Sequence, residues 1–311
     1  MKRHVNYIVF LVLIIGFPFF INDNYTLSIG IFAGINALVA MGLSLLMGYA
    51  GQVSLGQAGF YGIGAYVSAI LALKFGIPVV LSSIIAALVS AFAAVLLAIP
   101  ALKLKGHYLA VATLGFGEII YIILNELGPG GPSGFGDIPQ VSLLGYKLTS
   151  QISYFYLIWA IVFILIIFSY NIINSRIGRA MRAIHDTEIG SSAMGIDVAT
   201  LKIKIFILSA IYASIAGSFY AHYITFISPS TFSLFQSVLI LTMVVIGGAS
   251  NLFGAVVGAI IITILPEALR KFEELDVLIY GLILTLSLLF VRKGIVPTLI
   301  QRLKKKGIAN A

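Results

Sequence analysis

The stretch SRIGRAMRAIHDTEIGSSAMG (175–195) decides how the rest of the chain is read. It is basic and amphipathic, and it is stranded between two long apolar runs, 153–172 and 203–224. Ile177, Met181 and Ile184 recur at i, i+4 and i+7 and share one helical face. Arg176, Arg179, Arg182 and Asp186 fall on the other side. Gly195 is placed to end a second short turn in the left-handed conformation. A short helix held on the cytoplasmic side between two spans is expected to dock another protein, the alternative being an amphipathic helix that lies on anionic membrane lipid.

Around that segment the chain reads as a membrane protein. Hydrophobic residues make up 60% of its 311 positions and charged residues only 10%. Mean hydropathy is +1.09. A soluble domain of this size needs far more surface charge. Several apolar runs approach or exceed the ~20 residues that cross a bilayer. Ten spans are expected, at roughly 5–21, 27–47, 58–73, 79–100, 107–124, 153–172, 203–224, 235–250, 253–269 and 277–291. The fold class is therefore an all-α polytopic bundle; with 48–64 or 235–258 re-entrant, the count falls to eight. The whole of 1–311 reads as one transmembrane domain, since the longest outer loop, 125–152, is too short to fold alone.

Charge orients the bundle. The formal charge of +8 sits in short loops between spans, not on a nucleic-acid-binding face. With the N-terminus inside, 15 of the 19 Lys and Arg fall in cytoplasmic segments, and only Lys74, Lys147, Arg270 and Lys271 fall outside. The positive-inside rule selects this orientation, with both termini cytoplasmic and the chain multi-pass in the plasma (inner) membrane. Tyr154, Tyr156 and Trp159 are placed as an aromatic belt at the outer interface. The start, MKRHVNYIVFLVLIIGFPFF, has no small-x-small cleavage site after it and reads as a retained span.

Polar residues inside the spans are candidates for a pathway or gate. Glu118 is the one acid expected deep in a span; a mid-bilayer charge costs roughly 2.5–3.5 kcal/mol, so it must face the interior, be paired or be protonated. The plain alternative is a hydrogen bond to Asn36 or Thr113. Asn36 lies mid-span and has the same two readings. Gln52, Ser54 and Gln57 lie in the Gly-rich run GYAGQVSLGQ (48–57), read as a broken helix or cytoplasmic turn beside the pathway, or as a plain inner loop. PGGPSGFG (129–136) forces turns in the outer loop, which either contacts an external delivery protein or is a structureless tip. SPSTF (228–232) reads as a second short outer turn. Small-residue pairs (Gly30 and Gly34, Ala213 and Gly217, Gly254 and Gly258) read as helix-packing stripes.

Much chemistry is absent from the sequence. There is no cysteine, and the four histidines have no metal-ligand spacing. No HExxH, GxGxxG, GxSxG or GxxxxGK[ST] occurs, so the chain has no P-loop with which to hold ATP phosphates. An intramembrane enzyme would need a nucleophile and base paired in the spans. An ion-coupled secondary carrier would need several ionisable groups near the midplane, where Glu118 stands alone.

Together GYAGQVSLGQAGFYGIGAY (48–66), LKGHYLAVATLGFGEII (104–120), GPGGPSG (128–134), SRIGRAMRAIHDTEIGSSAMGID (175–197), SPSTF (228–232) and GGASNLFGAVVGA (247–259) resemble the permease subunits of branched-chain amino-acid ABC transporters, in particular the LivM type. The resemblance implies uptake of leucine, isoleucine or valine, with a related cargo such as urea or short amides as the alternative. It implies a heterodimer with a second permease, two cytoplasmic ATPase subunits and an extracytoplasmic substrate-binding protein. ATP would be hydrolysed on the partners, with no cofactor on this chain and no enzymatic role for it. It also makes 175–197 the ATPase-coupling segment: Ile177, Met181 and Ile184 would bury against the ATPase, Arg176, Arg179 and Arg182 would form the rim, and Glu188 and Gly195 would match the acid and glycine of the usual coupling motif. Ser191 and Ser192 stand where small alanines are common, and His185 where arginine is expected.

Overall fold

The computed structural model describes residues 23–268 apart from 102–105, 144, 145 and 149, together with 10, 12, 14–18, 281, 282, 285 and 298. The expected spans 5–21 and 277–291 lie largely outside the described residues, as do Lys103, Lys105 and the basic residues at both ends of the chain. The helices are α1 (Asn24–Ser44, continued by a π turn over Leu45–Tyr49), α2 (Gln57–Phe75), α3 (Val79–Ala101), α4 (His107–Leu127), α5 (Gln151–Asn174), α6 (Arg176–Asp186), α7 (Glu188–Ala193), α8 (Val198–Ile224), α9 (Leu234–Gly247) and α10 (Leu252–Ala268). Among the described residues six helices are long and apolar enough to cross a membrane: α1 with its π turn, α2, α3, α4, α5 and α8. A hairpin of two-residue strands, Ser142–Leu143 with Tyr146–Lys147, is confined to the outer loop.

Local chemistry sets the ends of these helices. The Asp23 side chain accepts from the Tyr25 N–H at the start of α1. Gly76, with φ +64, closes α2 in the left-handed region. Asp197 accepts from the Thr200 N–H at 3.1 Å and starts α8.

In lipid, apolar side chains alone give helices no reason to associate, so close packing must do it. α8 runs through the middle, against α1, α2 and α3. The crossing with α2 is tightest at Gly217 and Gly64, where a Cβ would run into the Tyr61 carbonyl and the Ser214 backbone respectively. Gly30 and Gly34 admit Phe155 and Ile158 of α5. Gly254 and Gly258 let α10 fold back onto the Gly247 and Met243 carbonyls of α9. The small-residue stripes are thus packing seams.

The loops gather at two ends. The 50–56 segment meets His185, and the 248–251 turn meets Ser44 and Gly48. At the other end the loop after α4 is tied to the end of α8: Phe135 and Ile227 exchange backbone hydrogen bonds, and Ile138 N–H donates to the Thr225 carbonyl. His222 Nδ1 lies 2.6 Å from the Pro139 carbonyl, and its Nε2 is 2.8 Å from Ser68 Oγ. The 128–141 loop is therefore built, not a structureless tip.

Two further expectations are corrected. Tyr154 and Trp159 are buried, and Trp159 Nε1 donates to the Gly30 carbonyl at 3.0 Å. They pack α5 onto α1 and do not form a lipid-facing belt. The region expected as a span at 235–250, or as re-entrant over 235–258, holds a 14-residue helix, roughly 21 Å long and short of a ~30 Å hydrocarbon core, which fits the re-entrant alternative. The chain descends to it through irregular backbone and a 3-10 turn, Pro229–Phe232. Phe232 packs on Tyr61, Tyr66 and Tyr220, and Ser237 Oγ accepts from the Ala58 N–H in the first turn of α2. SPSTF is thus not a plain outer turn; it enters the bundle.

Candidate functional site

The 175–197 segment folds as two helices, the second being the short turn that Gly195 is expected to end. Ser175 starts α6 by accepting from the Ile177 N–H, and Thr187 breaks the run and starts α7 by accepting from the Gly190 N–H. Gly178 lies so close to the Ile173 carbonyl that a side chain has no room, and Arg182 Nη1 donates to the same carbonyl at 3.0 Å. Gly195 ends α7 with φ +81, as the sequence requires.

The faces of this segment differ from the expected ones. Met181 and Ile184 are 1% and 3% exposed, packed within the chain itself. Their apolar stripe anchors α6 to its own spans, because exposed thioether and alkyl surface is satisfied first by the nearest apolar wall. They are not available to bury against another protein. Arg176, Arg179 and Arg182 are exposed as expected. The apolar residues that do face outward are Ile177, Ile189 and Met194, 49%, 78% and 82% exposed. Ile189 and Met194 were missed; with no long period in a six-residue helix, their outward direction could not be read from spacing.

Glu188 points back toward the bundle and pairs with Lys202 in the first turns of α8. The Lys202 side chain is only 6% exposed, Glu188 35%. The segment also touches the break after α1, where a Cβ on Gly51 would come within 2.8 Å of His185 Cδ2. The 175–197 segment therefore touches the bundle at two places, α8 and the α1–α2 junction.

That junction collects four of the sequence candidates. Gln57 Nε2 donates to Ser209 Oγ at 2.9 Å, and the Leu55 N–H donates to Thr113 Oγ1 at 3.0 Å. Ser54 Oγ accepts from the Gly56 N–H at 3.4 Å. Gln52 is buried, and neither of its amide atoms has a partner among the described residues. Run 48–57 is thus a broken helix buried in protein, which is how irregular backbone survives at membrane depth. Glu118 is half-buried beside Leu55, Ala58, Ser233 and Ser237. It bonds neither of the partners expected for it: Thr113 serves Leu55, and Asn36 Nδ2 donates to Thr263 Oγ1 at 2.9 Å.

Two polar-lined cavities lie along α1. The one beside the 128–150 loop, termed the outer cavity for the side on which charge places that loop, has about 290 Å³ and is walled by Ser28, Gln140, Ser150, Gln151, Tyr154 and Tyr223. There the Tyr223 hydroxyl donates to Gln151 Oε1 at 2.8 Å and lies 3.0 Å from Ser28 Oγ. The inner one, about 310 Å³, is walled by Asn36, Tyr61, Tyr220, Thr231, Gln236 and Thr263 with Ile29, Leu239, Met243 and Ile262. Phe32 lines both. Of these polar groups only Asn36 was expected from sequence as a pathway residue; Tyr154 was expected in an aromatic belt.

The family model for the branched-chain amino acid transport system permease component matches residues 25–288. The chain belongs to this family. It is 32% identical over 248 residues to the high-affinity branched-chain amino acid transport system permease protein LivM of Salmonella typhimurium, and equally to that of Escherichia coli, each match covering 72% of this chain and 58% of the relative. It is 24% identical over 240 residues to a probable LivM permease of Methanocaldococcus jannaschii, covering 70% and 68%. The match therefore spans less than two thirds of the two enteric relatives' length. No solved structure matches the chain significantly.

Proposed function

We propose that this chain is one permease subunit of an ATP-driven importer for branched-chain amino acids, embedded as a multi-pass protein in the plasma (inner) membrane. The family membership supports the transport role, and the relatives' names support leucine, isoleucine and valine as cargo. The observation that carries the mechanism is the α6–α7 segment, anchored by Met181 and Ile184 while Ile177, Ile189, Met194 and the arginines face outward.

In this reading a cytoplasmic ATPase subunit docks on that outward face, and a second permease completes the pathway with a second ATPase. The end bearing Arg176, Arg179, Arg182 and Lys204 is cytoplasmic by the positive-inside rule. The tied outer loop 128–150 then lies where a substrate-loaded binding protein arrives. ATP-driven closure of the ATPases would pull on α6–α7 and pass to α8 through Glu188 and Lys202 and to the α1–α2 break through His185. ATP chemistry stays on the partners, and this chain contributes no catalytic group.

The test is purification of the tagged chain from its native membrane in mild detergent, with mass spectrometry of what accompanies it. A second permease and P-loop ATPases support the reading. Recovery of the chain alone, under conditions that hold a known ABC complex together, refutes it and favours an ion-coupled carrier.

A further inference from the structure

We propose that the inner cavity beside Asn36, Tyr61 and Gln236 is a transient binding site for the transported amino acid within this one chain. The proposal rests on the transport reading above and adds a location and a chemistry to it.

Three observations carry it. First, the cavity is a half-open recess in the bundle that gathers hydrogen-bonding groups. The buried Tyr61 lines it, as do the half-buried Asn36 and Gln236, and Asn36 Nδ2 donates to Thr263 Oγ1. Amides and hydroxyls brought together in one recess can donate to and accept from a polar visitor.

Second, the wall is divided by chemistry. Amides and hydroxyls can donate to a carboxylate and accept from an ammonium, while Ile29, Leu239, Met243 and Ile262 offer an apolar surface to a branched side chain. Among the described residues no charged one lines it, so a zwitterion would be held weakly. A site on a conducting route must bind and then release. Its volume of about 310 Å³ is at the small end of ligand pockets.

Third, one wall is a broken span. Pro229–Phe232 and the start of α9 bring Thr231 and Gln236 to the cavity through non-helical backbone that lies level with the first half of α2. Irregular backbone at such depth is tolerated where it lines a cavity, and interrupted spans often mark a transported substrate's site. Phe32 lines both this cavity and the outer one.

The experiment uses the assembly purified with this chain, in proteoliposomes with its binding protein and labelled leucine. Gln236→Leu combined with Tyr61→Phe should cut leucine uptake at limiting substrate about tenfold or more, while the ATPase chains still copurify in wild-type proportion. Met243→Ala should raise the ratio of phenylalanine to valine uptake at least threefold, a change that a merely structural role does not produce. If Met243→Ala fails to assemble, Leu239→Ala carries the same readout. Wild-type uptake in the double variant, or an unmoved selectivity ratio, overturns the proposal. A wild-type assembly that moves no amino acid refutes the transport reading itself, whatever the variants do.

Discussion

Replacing Glu188 by alanine should damage this protein more than replacing Lys202 by methionine. The two side chains form one ion pair, but they are buried unequally, 35% exposed for Glu188 and 6% for Lys202. Glu188→Ala leaves the Lys202 ammonium in a slot that water barely reaches. Breaking a buried pair from one side costs about 3–5 kcal/mol, and the exposure of Glu188 brings the expected figure to about 2 kcal/mol. Lys202→Met keeps an unbranched stem in the slot and leaves a carboxylate that water can solvate, so about 1 kcal/mol or less is lost. At 1.36 kcal/mol per decade these are about thirtyfold and at most about fivefold. Hydrogen exchange of amides 188–204, on the assembly in nanodiscs, reads this local opening. Similar effects of the two variants, or a larger one for Lys202→Met, would refute the argument that burial of Lys202 makes the pair a rigid link to α8.

Other expectations follow from the same packing. Ile189→Asp with Met194→Asp should weaken ATPase association at least tenfold in a pull-down without affecting membrane insertion, since each lost apolar contact is worth roughly 1.5–3 kcal/mol when fully buried; Met181→Asp should instead destabilise the permease itself. Gly217→Leu forces a side chain into the Tyr61 carbonyl and should lower the yield of folded protein severalfold, read by size-exclusion chromatography in detergent. His222→Leu removes the tie to Pro139 and should make 135–141 sensitive to protease at roughly tenfold lower dose, at a cost of about 1–3 kcal/mol. At the start of α8 the Thr200 hydroxyl and amide hold the Asp197 carboxyl below its ordinary range. Its stabilisation is therefore present above the unfolded carboxyl's pKa and is lost only as pH falls through the lower folded value. Exchange rates of amides 198–201, corrected for intrinsic rates, should not change between pH 7 and pH 5.

Where a signal was periodic or compositional, the sequence reported it well. Apolar length located α1 to α5 and α8, because a bilayer demands long uninterrupted runs. Gly195 was legible because glycine alone takes the left-handed turn there without strain. The break at 48–57 was legible because glycines and amide side chains interrupt an otherwise apolar run. What failed was direction. The stripe Ile177, Met181 and Ile184 correctly marked an amphipathic helix, but periodicity does not say which body covers the stripe. The chain's own spans took Met181 and Ile184. Tyr154 and Trp159 matched a belt pattern that burial overruled, since Gly30 and Gly34 open room for α5. The inner cavity was mostly hidden, because Tyr61, Thr231, Gln236 and Thr263 come from three separate stretches of the chain and meet only through the broken descent into α9.

ATP-driven import is read most plainly from leucine uptake by the purified assembly in proteoliposomes, with its binding protein outside, ATP inside and ionophores removing every ion gradient. Uptake should require ATP and persist in Glu118→Gln. Uptake that ignores ATP and collapses with the proton or sodium gradient would contradict the permease reading and make this chain an ion-coupled carrier.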